Sequence, residues 1–206
     1  MKPLEQAIFA QRRQALLAQL PANSAAILFA PDEVRRNNDV YYPFRQDSYF
    51  WYLTGFPEPK TVAVLVKENE QTRYILFSAK QNPELEIWEG KIIGQQSAKI
   101  DYGADESYPL EQLEQLPQLL STSNRLYTVL GIEQTQDERI SALLRQIHRQ
   151  FGRGGSELEG LFDLRQLLDN MRLIKKCRRA SITTSCRTNQ RPRASRRYAS
   201  HRPQSL

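Results

Sequence analysis

A compositional break near residue 175 confines any folded core to the part of the chain before it. From Lys176 to Leu206 there are nine Lys or Arg residues and no Asp or Glu. Removing those nine from the chain's 29 basic residues leaves 20 against 23 acidic ones, so the body stands at −3 and the tail at +9. The overall charge of +6 is a property of the tail alone. The tail shows no apolar periodicity, and such a segment buries too little surface to offset the entropy of ordering it. Residues 176–206 are therefore expected to be a disordered basic tail. A charge asymmetry of this kind suggests a nucleic-acid or membrane-surface arm. Tyr198 is its one aromatic and it carries no nucleic-acid fold motif, so the expectation is nonspecific nucleic-acid binding through counterion release.

The body, about 175 residues, is long enough for one ordinary α/β domain with its own core. Both cysteines, Cys177 and Cys186, lie in the tail, so no disulfide framework exists and a reducing compartment is the simplest setting. The first twenty residues have scattered charges and no apolar run of a secretory signal. No stretch approaches the length of a membrane span. A cytoplasmic protein without membrane contact is expected.

Periodicity places the elements. Leu4, Ile8, Leu16 and Leu20 form one stripe, predicting a helix over 4–20 with Pro3 at its start. Ala25–Phe29 is a buried strand, and the polar run 33–46 reads as a loop. The aromatic stretch Ser48–Leu53 is strand-like by composition, with Trp51 and its tyrosines packed on a sheet. Thr61–Val66 and Arg73–Ser78 form a hairpin, and Pro83–Trp88 a short helical turn. Leucines over 110–120 repeat at helical spacing, with Pro117 kinking or ending that helix. Leu126–Leu130 is a strand. Ile140, Leu143, Leu144 and Ile147 mark an amphipathic helix over 135–150. Residues 151–157 read as a flexible loop and 161–174 as a helix. Strands and helices interleave, so the fold class is α/β, a mixed β-sheet flanked by helices.

Catalytic signatures are missing. The chain has two histidines, His148 on an amphipathic helix and His201 in the tail. There is no H-E-x-x-H and no G-x-S-x-G. A catalytic metal site needs three or more converging ligands, and no spacing here implicates a set. No residue is assigned a catalytic or metal-binding role. The GRGG run at 152–155 lacks the Lys-Ser/Thr of a phosphate loop and reads as a plain loop.

The distinctive segment is DVYYPFRQDSYFWYLTGFPEP at 39–59. It closely resembles the signature of the N-terminal domain of aminopeptidase P, in the creatinase/prolidase superfamily. RRQALLAQLPANSAAILFA at 12–30, EIWEGKIIG at 86–94 and MRLIK at 171–175 match further family segments in order. The resemblance covers 12–175. It implies an amino-terminal domain of a Xaa-Pro aminopeptidase, an enzyme removing the residue before a proline. In that family a separate C-terminal domain holds two divalent ions, usually Mn²⁺, through two Asp, one His and two Glu, and the ions activate a water. None of those ligands carries over onto this chain, so no cofactor is expected in it and it is expected to be inactive alone. The resemblance implies partners as well: the catalytic domain, a full-length homologue, or copies of itself in a homo-oligomer. Peptides with proline second would bind only the intact enzyme.

Two positions match family residues at the substrate entrance. Asp39 is placed to face a substrate's amino terminus, and Trp88 to wall the pocket. Packing for Trp88 and loop satisfaction for Asp39 are the competing structural readings. Arg45 and Asp47, in the FRQD turn, are read as supporting the loop. In the family, MR-x-x-K continues into a long helix, whereas here the basic tail begins. A one-base frame change is compatible with codons for Lys176–Ala194 and converts the tail into an alanine-rich amphipathic helix. The chain is accordingly expected to be a truncated, out-of-frame form. A stand-alone assembly module and a basic-tailed nucleic-acid-binding protein are the alternatives.

Overall fold

The computed structural model describes residues 3–82, 90–151 and 158–173. The chain divides into one compact unit, Met1–Asp169, and a second, Asn170–Leu206. The readings of 83–88 as a helical turn and of 176–206 as a disordered, out-of-frame tail lie outside the described residues, as does the loop read over 151–157 except for Phe151, which ends a helix.

The expected α/β architecture is found. A six-stranded mixed sheet has the order β6-β5-β4-β1-β7-β8. It is built from β1 (Ser24–Phe29), β4 (Val62–Glu68), β5 (Gln71–Ser78), β6 (Glu106–Pro109), β7 (Arg125–Thr128) and β8 (Gly160–Asp163). β1 and β4 are antiparallel, as are β4 and β5, while β1–β7, β7–β8 and β5–β6 are parallel. β1 lies at the centre and all six of its residues are buried, as expected of a strand covered on both faces.

Alternation along the strands sends side chains to two cores. Ala25, Ile27, Phe29, Val62, Val64, Ile75 and Phe77 meet Leu116 and Leu120, together with Ile140, Leu143 and Ile147 of a long helix. That helix, Gln134–Phe151, has the predicted i, i+3, i+7 burial. The opposite face is covered by α1 (Pro3–Gln19), α2 (Ser48–Thr54) and α3 (Gly94–Tyr102). There Leu16, Leu17 and Leu20 are buried with Phe50, Leu53 and Ala98. The remaining helical pieces are a 3₁₀ turn, Leu110–Gln115, followed by α4 (Leu116–Leu119), the long helix α5 and α6 (Arg165–Leu173). Pro117 opens α4 instead of ending a continuous helix, because a proline in the first turn gives up no intrahelical hydrogen bond.

Four expectations are corrected. Ser48–Leu53 is not a strand but the helix α2. Asp47 caps its start, its Oδ1 accepting from the N–H of Tyr49 and Phe50 at 2.9 Å each, and Gly55 closes it in the left-handed region. Burial of Phe50, Leu53 and Thr54 follows a helical period. Trp51 is accordingly not packed on the sheet: it stays 46% exposed and meets Phe9 edge-on at 6.1 Å. The loop over 33–46 contains a small hairpin, β2 (Arg35–Asn37) with β3 (Val40–Tyr41). Lastly, 161–174 is not one helix. Gly160–Asp163 pairs with β7, and α6 begins after Asp163, whose Oδ1 accepts from the N–H of Arg165 at 3.0 Å. Both α3 and β6 fall where no element was predicted.

Replacing Asp47 by Ala removes the acceptor for two amides at the start of α2. The expected loss is about 1 kcal/mol of unfolding free energy, read by urea denaturation. An unchanged midpoint would mean that other groups cap the helix.

Candidate functional site

The segment 35–58 follows β1 and is shaped by local hydrogen bonds. The β2–β3 hairpin turns at Asn38, whose φ of +40° suits an Asn better than most residues. Every residue of both strands is exposed, and Val34, Val40, Tyr41 and Tyr42 show 64%, 56%, 45% and 53% of their surface. Arg35 lies over Tyr41 at 5.8 Å and Arg36 over Tyr42 at 5.9 Å. The hairpin is tied at its base by the Tyr42 N–H, which donates to the Val34 carbonyl at 2.9 Å. Asp39 stands exposed at its tip.

Beyond the hairpin the chain is clamped. Gln46 Nε2 donates to the carbonyls of Phe56 and Glu58 at 3.1 and 3.0 Å, and Gln46 Oε1 accepts from the Asp47 N–H. Thr54 Oγ1 donates to the Phe50 carbonyl at 2.8 Å and accepts from the Phe56 N–H at 3.0 Å. Arg45 is exposed on this stretch and Asp47 is held as the α2 cap. The structure thus puts Asp39, Arg45 and Asp47 on one continuous segment but at different levels of it. Trp88 lies outside the described residues.

Two contributors escaped the sequence reading. Gln46 lies in the FRQD turn but was given no role there, because its partners lie ten and twelve residues on. Glu58 joins this segment to the approach of α3: its Oε1 accepts from the Ile93 N–H at 2.5 Å, while its Oε2 is buried without a hydrogen-bond partner among the described residues. Gln81 Nε2 reinforces the junction, donating to the carbonyls of Ile92 and Ile93 at 3.0 and 3.2 Å. Burial pushes the Glu58 carboxyl above its ordinary value of 4.5, and the Ile93 amide opposes that only in part. A carboxyl with a raised folded value binds protons more readily folded than unfolded. Its contribution to stability is therefore present at low pH and is lost as pH climbs through the window above 4.5. Glu58→Gln keeps an acceptor for Ile93 without the charge. The stability difference between variant and parent is expected to move in favour of the variant as pH rises through that window, then level off. A difference constant in pH would refute it.

Among the described residues, no group of three or more His, Cys, Asp or Glu is placed to hold a metal ion. His148 Nδ1 lies 2.8 Å from the Leu144 carbonyl on the exposed side of α5. The described residues therefore offer no ligand set for a paired-metal centre. No helix among the described residues is long and apolar enough to cross a membrane.

A mixed sheet covered by helices on both faces, with an exposed hairpin between its central strand and α2, defines an α/β domain. Residues 9–127 match the family described as "Aminopeptidase P, N-terminal domain", and the chain belongs to that family. It is 38% identical to the Xaa-Pro aminopeptidase of Haemophilus influenzae over 176 residues, covering 85% of this chain and 38% of that protein. The Xaa-Pro aminopeptidase of Escherichia coli is 34% identical, with 85% and 40% covered. Among solved structures, proline aminopeptidase P II from Yersinia pestis superposes with a TM-score of 0.81 at 36% identity over 86% of this chain and 41% of that one. Aminopeptidase PepP of Pseudomonas aeruginosa gives 0.82 at 36% identity, covering 86% and 40%. The chain therefore spans about two-fifths of the length of the relatives it matches.

Proposed function

We propose that this chain, over residues 1–175, is the non-catalytic N-terminal domain of a Mn-dependent Xaa-Pro aminopeptidase, acting in oligomer assembly and in lining the substrate entrance. The observation that carries this reading is the β2–β3 hairpin. It presents four largely exposed apolar or aromatic side chains and holds Asp39 at its tip. Exposed apolar residues gathered in one place mark an interaction surface, and a two-stranded hairpin alone is marginal in water. Asp39 supplies a carboxylate suited to a substrate ammonium, and Trp88 a broad ring suited to a pyrrolidine.

On this reading the catalytic metals belong to a different domain, and residues 1–175 hydrolyse nothing alone. The setting is cytoplasmic, and 176–206 is out of frame with the family's continuation. Two measurements test it. The purified chain with Mn²⁺ is expected to release no amino acid from an Xaa-Pro peptide; turnover would overturn the reading. DNA from codon 165 onward, translated in three frames, is expected to supply the Asp, Asp, His, Glu, Glu set in a shifted frame. A tail that continues in no frame would instead favour a stand-alone assembly module. In that case, Val40→Asp at the hairpin should release the chain from co-purification with a full-length homologue.

A further inference from the structure

Among the described residues, Arg73, Arg125, Arg139 and Arg165 each pair with a carboxylate, while Arg12 and Arg13 donate to backbone carbonyls. Arg35 and Arg36 do neither. Within the described residues their guanidinium groups meet only a tyrosine ring, Arg35 that of Tyr41 and Arg36 that of Tyr42. Arg35 and Tyr41 are cross-strand partners, and the ladder shifts register between Arg35 and Asn37, so Arg36 stands outside it. Such an irregularity re-aims a side chain. Two consecutive arginines thereby lie over two consecutive tyrosines.

A ring face attracts a guanidinium and restrains it, yet occupies none of its five N–H donors. Both forks are therefore oriented in advance and open to an acceptor. A carboxylate matches such a fork with two parallel hydrogen bonds. Arginine and tyrosine are also the residue types that anchor protein interfaces. Val34 and Val40, both largely exposed beside them, call for a partner with apolar surface of its own and not for a free anion. Glu33 and Asp39 are exposed in the same stretch. They repel the continuous phosphate row of a nucleic acid, whereas a protein can set one carboxylate opposite each arginine. The chain itself supplies a surface of the right sign. Taking the three arginines and one aspartate of residues 34–45 out of the body's 20 basic and 23 acidic residues leaves 17 against 22, a remainder at −5.

We propose that Arg35 and Arg36 are the anchors by which the hairpin docks on carboxylates of a second copy of this chain. The proposal rests on the assembly reading above and adds the chemistry of the contact: two arginine forks, each on a carboxylate, with the valines and tyrosines packed around them.

The test is self-association of the full chain at pH 7 and about 0.15 M salt, followed by sedimentation velocity over a concentration series. A reversible dimer or larger assembly is expected. The double variant Arg35→Gln, Arg36→Gln is expected to raise the dissociation constant about a hundredfold, about tenfold for each arginine. Its circular dichroism should match the parent's, because both side chains are exposed. The pair Arg35→Lys, Arg36→Lys keeps the charges without the fork and should fall between; association equal to the parent's would reduce the contact to unspecific charge and overturn the assignment. If the glutamine pair changes nothing while Val40→Asp dissociates the assembly, the hairpin remains the contact and the arginine assignment falls. If neither changes it, the contact lies elsewhere, the basic tail included, and both readings fall, as they do if the parent stays monomeric. Association that survives in the glutamine pair, with weakened binding of a single-stranded oligonucleotide, would overturn the assignment in favour of a nucleic-acid partner.

Discussion

Arg13→Met is expected to lower the unfolding free energy by roughly 2–4 kcal/mol. Arg13 is only 5% exposed, unusual for a cation. Its Nη1 donates to the Leu53 carbonyl at 3.1 Å and its Nη2 to the Gly103 carbonyl at 3.5 Å, while its guanidinium lies 4.0 Å from the centre of the Tyr74 ring. Leu53 belongs to the last turn of α2, and Gly103 is the residue that closes α3. Helix ends leave carbonyls without partners and carry the negative end of the dipole. One side chain of α1 therefore satisfies the ends of two other helices on the same face of the sheet. Burial pushes the guanidinium's pKa down, and Tyr74 and Asp105 oppose it, but an arginine stays charged throughout. Methionine retains the packing of the stem and removes the donor from the buried bond to the Leu53 carbonyl and from the part-buried bond to the Gly103 carbonyl; a buried acceptor left unpaired is the costly half of a lost hydrogen bond. Arg13→Lys should fall between, because an ammonium cannot reproduce the planar fork. Urea denaturation followed by circular dichroism measures this, and a methionine variant within about 0.5 kcal/mol of the parent would show that the guanidinium's bonds are dispensable.

Arg13 also marks the limit of what sequence reading reached. Its partners lie 40 and 90 residues away, so no local pattern identifies it. Gln46 and Glu58 lie within the 39–59 segment, but they act through backbone groups that any sequence supplies, so the motif does not reveal their roles. Elements with a strong period were legible: α5 from its apolar stripe, and β4 and β5 from two apolar runs around a charged turn. Helix α2 was misread because aromatic residues favour strands on average, while Asp47 and Gly55, the caps that decide the matter, are single residues at its ends. Strand β8 was hidden because four residues next to a helical stripe read as part of that stripe. At the candidate site, Asp39 stood out only through resemblance to a family. Its place on an exposed hairpin tip came from the structure, since β2 and β3 together hold five residues and show no apolar alternation.

The conformation of the 46–58 segment depends on one glycine, and Gly55→Ala is expected to cost about 2–5 kcal/mol. Gly55 has φ +62° and ψ 13°, and its N–H closes α2 by donating to the Trp51 carbonyl at 3.0 Å. A side chain there meets two separate penalties. The left-handed backbone costs an L-residue about 1–2 kcal/mol. A methyl group would also sit 2.6 Å from Phe9 Cζ, inside contact distance, and displacing a packed group adds about 1–3 kcal/mol. The ring is not free to swing away, since Phe9 packs edge-on to Trp51 at 6.1 Å and beneath the Arg12 guanidinium at 5.2 Å. The two penalties separate in a double-mutant cycle. In a Phe9→Ala background the methyl has room, so Gly55→Ala should there cost only the backbone share, about 1–2 kcal/mol. If truncating Phe9 leaves the cost unchanged, the ring is no obstacle and the whole penalty is conformational. If the cost vanishes in that background, the left-handed turn is not what ends α2. Because Gly55 both closes α2 and leads into the carbonyls that Gln46 holds, the intermediate result would show that the approach to the hairpin is set by backbone chirality and by one aromatic contact from α1, acting together.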